Sequence, residues 1–250
     1  MVSKDKPLHP LAGRVVKVIG LGGIGACVAQ GMAQFLASTK AGCPLWLIDG
    51  DTYEESNRSR VLFQSYENKA IVKAAELGSL TPGLLTIVPV PRYATPRNIG
   101  RLIEERDIIL LCVDNHRSRR CVSNRCRRLS DVLLISGGND GITESSAGTF
   151  GNVMAYWKEG GRDVTSPLTR FHPEIARPTD KAPYELSCAE LANSGAPQLL
   201  FANLQVAATM LGVFYSWLNG KLNCDEVYLD ILDTRMLTVR RRGRPPAAIQ

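Results

Sequence analysis

The 250-residue sequence predicts a doubly wound α/β fold: a mostly parallel sheet, helices on both faces and a C-terminal β-hairpin. Three observations carry that prediction. A β-branched run ends at Gly20 and opens into a glycine-rich turn at 20–25. Short apolar runs then alternate with helix-length segments as far as Ile135. Near the end, residues 226–240 read as two strands around a turn at Asp233-Thr234.

Taken in order, RVVKVI at 14–19 is the first buried strand, GLGGIG at 20–25 the turn, and the small residues ACVAQGMAQFLAST the first helix. LWLI at 45–48 is a second strand closing on Asp49, which completes a strand–helix–strand unit. Residues 68–80 follow as a helix, 84–90 as a strand and 97–105 as a helix. A buried strand at 108–113 stops at Asp114-Asn115, and helix 117–129 leads to strand 132–135, which ends in Ser-Gly-Gly. Gly, Pro and charged residues are dense over 151–183, so residues 151–190 are expected to form an irregular crossover above the strand ends. Residues 1–240 make one domain, and 241–250 a basic, disordered tail.

At 44% hydrophobic and 22% charged, the chain has the composition of a globular protein with one sizeable core. The net charge is +6, with Arg240, Arg241, Arg242 and Arg244 concentrating basic residues in the tail. A polyanionic small molecule such as ATP or an acidic protein partner suits that balance, and nucleic acid is not expected. The seven cysteines are scattered and make no C-x-x-C pair. This argues against a zinc site, and with a polar stretch at 1–10 it points to reduced thiols in the cytoplasm. Residues 191–219 carry no charge, but Gln198, Asn203, Gln205, Thr209 and Ser216 interrupt the apolar run. The segment therefore reads as a core or subunit-interface helix rather than a membrane span, with a homodimer as the expected cover.

The chemistry is expected where parallel strands end. Gly20, Gly22, Gly23 and Gly25 let backbone approach phosphate at a helix N-terminus, and Asp49 can accept hydrogen bonds from ribose hydroxyls. NAD and ATP are equally served by these two features. The residues that follow separate them: Asp51, then ESNRSR at 55–60, Lys69, the pair Asp114-Asn115, and Arg119. Activating a carboxylate brings one anion up to a triphosphate carrying about four negative charges. Arg60 and Lys69 can neutralise that charge, Asn57 can donate a hydrogen bond, and Asp114 can hold Mg²⁺.

GLGGIG, LIDGD, ESNRSRVLF and CVDNHRSRR together resemble the ThiF/MoeB/ubiquitin-activating superfamily of adenylating enzymes. SGGNDG and the stretch from Cys188 resemble its short bacterial members, including the PRTRC-system type. The resemblance covers most of residues 15–240 and implies a Rossmann-like adenylation domain. It also implies ATP-dependent adenylation of the C-terminal glycine of a ubiquitin-like or sulfur-carrier protein. Carried over by position, Gly20, Gly22, Gly23 and Gly25 line the ATP site, and Asp49 holds the ribose. Asp51, Asn57, Arg60, Lys69 and Asn115 join the nucleotide contacts, and Asp114 serves Mg²⁺. Cys188 falls in the crossover region where family members place a cysteine that takes the acyl group as thioester or acyl-persulfide, with a conjugating-type acceptor enzyme possible beyond it.

The chain departs from the pattern in three places. The spacing from Arg60 to Lys69 is short, which makes Lys73 a rival phosphate lysine. The zinc-binding cysteine pairs of MoeB-like members are missing. So is their N-terminal arginine segment, so that either Arg58 takes its place or a site shared between subunits is absent. Two alternatives to adenylation stand beside it: an NAD-dependent oxidoreductase, and a non-catalytic nucleotide-binding scaffold. A related enzymatic variant, dehydration of a tRNA-bound threonyl group, also begins with acyl adenylation.

Overall fold

The computed structural model describes residues 9–39, 42–59, 61–144, 146–186 and 197–240. Its first half alternates strand and helix: β1 (Val16–Ile19), α1 (Gly23–Thr39), β2 (Leu45–Ile48), α2 (Lys69–Leu80), β3 (Ile87–Val90), α3 (Ile99–Leu102), β4 (Ile108–Leu111), α4 (His116–Cys126) and β5 (Val132–Asn139). A two-stranded ribbon of β6 (Ile142–Thr143) and β7 (Ser146–Ala147) follows, then β8 (Phe150–Glu159), β9 (Arg162–Asp163) and α5 (Pro173–Ala176). The long helix α6 (Leu200–Leu218) and the hairpin β10 (Glu226–Asp230) and β11 (Arg235–Val239) complete it.

The main sheet runs β3-β2-β1-β4-β5-β8-β10-β11. Its first five strands are parallel, and the remaining pairings are antiparallel. The parallel order reverses between β1 and β4, which opens a crevice at the carboxyl ends of those strands. Helices α1, α2 and α6 pack on one face and α3, α4 and α5 on the other, each over its own apolar cluster. Every residue of β4 is fully buried. Four such aliphatic side chains contribute about 2 kcal/mol each.

The hairpin turn falls at the expected Asp233-Thr234, where Thr234 takes a positive φ of 52°. Three expectations are corrected. The helix expected at 97–105 is only the single turn α3, because the chain swings through Arg106 at φ 69° to enter β4. The strand expected from 84 begins at Ile87, because Gly83 turns at φ 68° just before it. The crossover expected to be irregular from 151 opens instead inside the ten-residue strand β8, which pairs with β5 along its length, Val132 opposite Lys158 and Asn139 opposite Gly151. Val153, Met154, Ala155 and Tyr156 are buried on both faces of that strand, so no polar–apolar alternation marks it.

Helix α6 is long and apolar enough to cross a membrane by length and composition alone. One face of it is packed: Asn203, Val206, Ala207, Met210, Val213, Phe214 and Trp217 are buried. Two sheet glycines admit it. A Cβ on Gly137 would stand 2.3 Å from Met210 Sδ, and one on Gly151 would stand 2.4 Å from Val206. The opposite face leaves Phe201, Leu204 and Tyr215 exposed.

Candidate active site at the strand-order reversal

A cavity lies in the crevice between β1 and β4, lined by Gly20, Gly22, Gly23, Asp49, Asp51, Lys69, Asp114, Asn115 and Arg119 among others. Its floor is the turn between β1 and α1. Gly20 has φ +88°, and a Cβ there would lie 2.8 Å from the Cys112 carbonyl oxygen. Gly22 is different: a Cβ would meet none of the described residues within 4 Å, and Gly22 lines the cavity. Backbone N–H groups at the start of α1 share that opening, the arrangement a helix offers to phosphate.

Asp49, just past β2, sits beneath the turn. Its carboxylate accepts from Leu21 N–H at 2.6 Å and Asp51 N–H at 2.8 Å. Burial, with Asp51 adding to it, raises the Asp49 carboxyl to about 6, while Lys69 pulls it back. The next loop is fixed by Asn68, whose side chain accepts from Ala70 and Ile71 N–H as the N-cap of α2. Its amide also donates to the carbonyls of Asp49 and Asp51. That anchor sets Lys69, the first residue of α2, with Nζ 3.2 Å from Asp51 Oδ2. Tyr93 donates its hydroxyl to the other oxygen of Asp51. Its ring lies over Gly50, where a Cβ would stand 2.6 Å from it.

Across the cavity, Asn115 caps α4 by accepting from Ser118 N–H at 2.8 Å, and the Asp114 carboxylate beside it is exposed. Arg119, one turn on, is buried, and its hydrogen-bond partners among the described residues are all carbonyl oxygens. It donates to Val113 O from Nε at 3.3 Å and from Nη2 at 3.0 Å, and to Gly137 O at 3.1 Å. Burial lowers the pKa of its guanidinium, and Asp114 is the chief charge opposing that. Asn139, the last residue of β5, borders the same space, and both polar atoms of its amide are buried without a partner among the described residues. An adenine or ribose edge would satisfy such an amide. Open space over Gly22, an ammonium group at Lys69 and an exposed carboxylate at Asp114 suit a magnesium–nucleotide complex, since Mg²⁺ is commonly held by one carboxylate plus phosphates and water.

Not every candidate converges. Gly25 does not line the cavity: a Cβ there would lie 1.8 Å from Gly20 O, so this glycine serves helix–turn packing. Asn57 is buried and does not line the cavity, and its Oδ1 accepts from Glu54 N–H to close a tight turn. Lys73, the rival lysine, pairs with Glu76 and lies 4.4 Å from the centre of the Phe63 ring, away from the cavity. Arg58 pairs with Glu55 at the surface. Cys112, just past β4, borders the cavity as well, and burial pushes its thiol well above its ordinary value. Arg60 and Cys188 lie outside the described residues.

The sequence reading missed Arg92, Tyr93, Asn139, Pro183 and Gln198, all of which border the cavity. A signal existed for two of them. Arg92 and Tyr93 follow the carboxyl end of β3, the position that singled out Asp49 and Asp114.

Comparison with known proteins agrees with this geometry. The E. coli molybdopterin-synthase adenylyltransferase is 34% identical over 167 residues, covering 64% of this chain and 61% of that protein. An adenylyltransferase and sulfurtransferase MOCS3 from Bos taurus is 29% identical over 95% of this chain and 48% of its own length. An Aspergillus fumigatus adenylyltransferase and sulfurtransferase uba4 is 34% identical over 56% of this chain. The chain spans only 26% of that fungal protein. Among solved structures, E. coli MccB with ATP superposes with a TM-score of 0.67 at 17% identity, over 96% of this chain and 67% of MccB. PaaA gives 0.65 at 18% identity, over 93% of this chain and 65% of PaaA. The likeness to these structures establishes the fold. The ThiF family model matches residues 8–216, nearly all of the chain from the strand before the glycine turn to the end of α6, and the chain belongs to the ThiF family.

Proposed function

We propose that this protein uses ATP to adenylate the C-terminal glycine carboxylate of a small ubiquitin-like or sulfur-carrier protein. One observation carries the reading: Gly22, Lys69, Asp51, Asp114 and Arg119, from three separate strand ends, border one cavity at the strand-order reversal. The names of the curated relatives support it.

The chain's own groups divide the work. The turn at Gly22 and Gly23 supplies N–H donors to phosphate. Lys69, held in place by Asn68 and Asp51, places a positive charge where negative charge gathers. Asn139 offers an amide to the nucleoside. Asp114 would hold Mg²⁺, which lowers the repulsion between the incoming carboxylate and the α-phosphate. As that carboxylate oxygen bonds to the α-phosphorus, the bond to the bridging oxygen breaks and pyrophosphate leaves. Arg119 braces the wall formed by β4 and β5.

The proposed onward step is attack of the Cys188 sulfur on the activated carbonyl, releasing AMP and leaving a thioester, or an acyl-persulfide when a persulfide sulfur attacks. A homodimer covering the exposed residues of α6 is also proposed, since Phe201, Leu204 and Tyr215 form an apolar strip there. The test is ATP–pyrophosphate exchange dependent on Mg²⁺ and a Gly-Gly-ended carrier. Full exchange retained by Asp114→Ala would overturn the reading.

A further inference from the structure

The outer face of α4, turned away from the cavity, carries a second constellation that the adenylation reading does not use. Arg117, Arg120, Arg125, Arg128, Tyr184 and Glu185 line a groove there. Arg117, Arg120 and Arg125 fall at helical spacings that keep them on one side of α4, and Arg128 follows two residues past its end. Arg120 and Arg128 are exposed and make no ion pair among the described residues. Arg125 is held by carbonyl oxygens, Ile103 O at 2.8 Å and Gly100 O at 3.3 Å, which aim its guanidinium without neutralising it. Glu185 is the only carboxylate lining the groove among the described residues, so most of its positive charge is unmatched.

Glu185 also shows which ligand chemistry the groove accepts. Its Oε1 sits 3.3 Å from Arg117 Nε and 3.2 Å from Nη2, so a carboxylate of this chain already occupies one arginine fork. Pro96, Ile99 and Tyr184 line the same groove and supply apolar surface, as a peptide side chain needs and a bare phosphate does not. We propose that this groove is the docking surface for an acidic segment of a partner protein, whose carboxylates meet Arg120, Arg125 and Arg128. Ser118, Arg119 and Val122 face the cavity from the other side of the same helix, so an occupied groove leaves the nucleotide site open.

The inference does not depend on the reaction. It is tested by fluorescence anisotropy with the full chain, a labelled peptide of alternating glutamate and glycine, and a single-stranded RNA of matching length. Both probes are measured at low and at physiological salt. The expected result is salt-sensitive peptide binding that weakens about tenfold in R120E/R128E, with unchanged ATP affinity and melting temperature. Peptide binding equal in the variant, or no peptide binding to the parent, overturns it. RNA binding tighter than peptide and lost in R120E/R128E would reassign the groove to nucleic acid and equally overturn it. Should R120E/R128E unfold, R120A/R128A decides on the same terms.

Discussion

Arg119 and Gly138 are matched by exclusion: a Cβ on Gly138 would lie 2.2 Å from Arg119 Nη2, in the place the guanidinium occupies. From that place the guanidinium ties Val113, two residues past β4, to Gly137, inside β5. Replacing either residue should therefore loosen the same wall. Gly138→Ala should displace the arginine and cost about 2 kcal/mol, within the range for overpacking. Arg119→Lys, which cannot span two carbonyls with a planar fork, should cost a similar amount. Both should weaken ATP binding. Urea unfolding with and without ATP measures the two effects, and a Gly138→Ala protein as stable as the parent would refute the pairing.

The two glycines of the turn should respond in opposite ways. Gly25→Ala forces a Cβ against the Gly20 carbonyl, so it should destabilise the fold by about 3 kcal/mol. Gly22→Ala meets no atom of the described residues within 4 Å, so stability should change by less than about 0.5 kcal/mol. Its methyl group instead takes space in the cavity, and ATP affinity should fall about tenfold. Thermal unfolding paired with nucleotide calorimetry separates the two outcomes.

The two lysines of α2 offer a parallel contrast. Lys69→Ala removes the ammonium beside Asp51 and should abolish measurable ATP binding while the helix persists. Lys73→Ala takes the cation from Glu76, which keeps only the Gln64 N–H among the described residues, and removes a cation from the Phe63 ring. It should cost about 1–2 kcal/mol of stability with ATP affinity intact. The reverse pattern would exchange their roles.

A pH effect follows from His172, at the start of α5. Its Nε2 lies 2.9 Å from buried Glu226 and its Nδ1 lies 2.8 Å from Glu174. The Glu226 carboxylate, aided by Glu174 and opposed by burial, raises the His172 pKa. The folded state thus holds the proton more tightly than the unfolded chain. This stabilisation is fully present below the unfolded value of about 6.5 and is lost as pH rises through the raised folded value. Asp49 acts in a lower window. Its carboxyl is raised to about 6, so the folded state gains stability as pH falls from there toward the ordinary aspartate value. Chemical denaturation from about pH 5 to 9 should show stability falling on the alkaline side, and His172→Gln should flatten that limb alone.

The parallel half of the fold was legible because each element is written locally. Strands β1, β2 and β4 are short apolar runs that end at Gly20, Asp49 and the Asp114-Asn115 pair, and chain position alone puts those residues at one edge of a sheet. What the sequence concealed depends on partners distant along the chain. Strand β8 contains Met, Ala and Trp in no strand-like alternation, and only its pairing with β5 makes it extended. Gly25 matches a phosphate-turn pattern yet answers to Gly20 O, and Asn57 matches a phosphate-contact pattern yet closes its own turn. Lys69 and Lys73 lie on the same helix, and only Asp51 and Glu76 distinguish them. Asn139 carries no motif and is identified by its place on the cavity and by two amide atoms without a partner among the described residues.

The most direct test of the central claim is a crystal structure with a non-hydrolysable ATP analogue and Mn²⁺, the metal located by its anomalous signal. The phosphates should lie over Gly22 within reach of Lys69 Nζ, with the metal on the Asp114 carboxylate. A nucleotide bound elsewhere, or one seated here with Lys69 and Asp114 both turned away from the phosphates, would contradict the account.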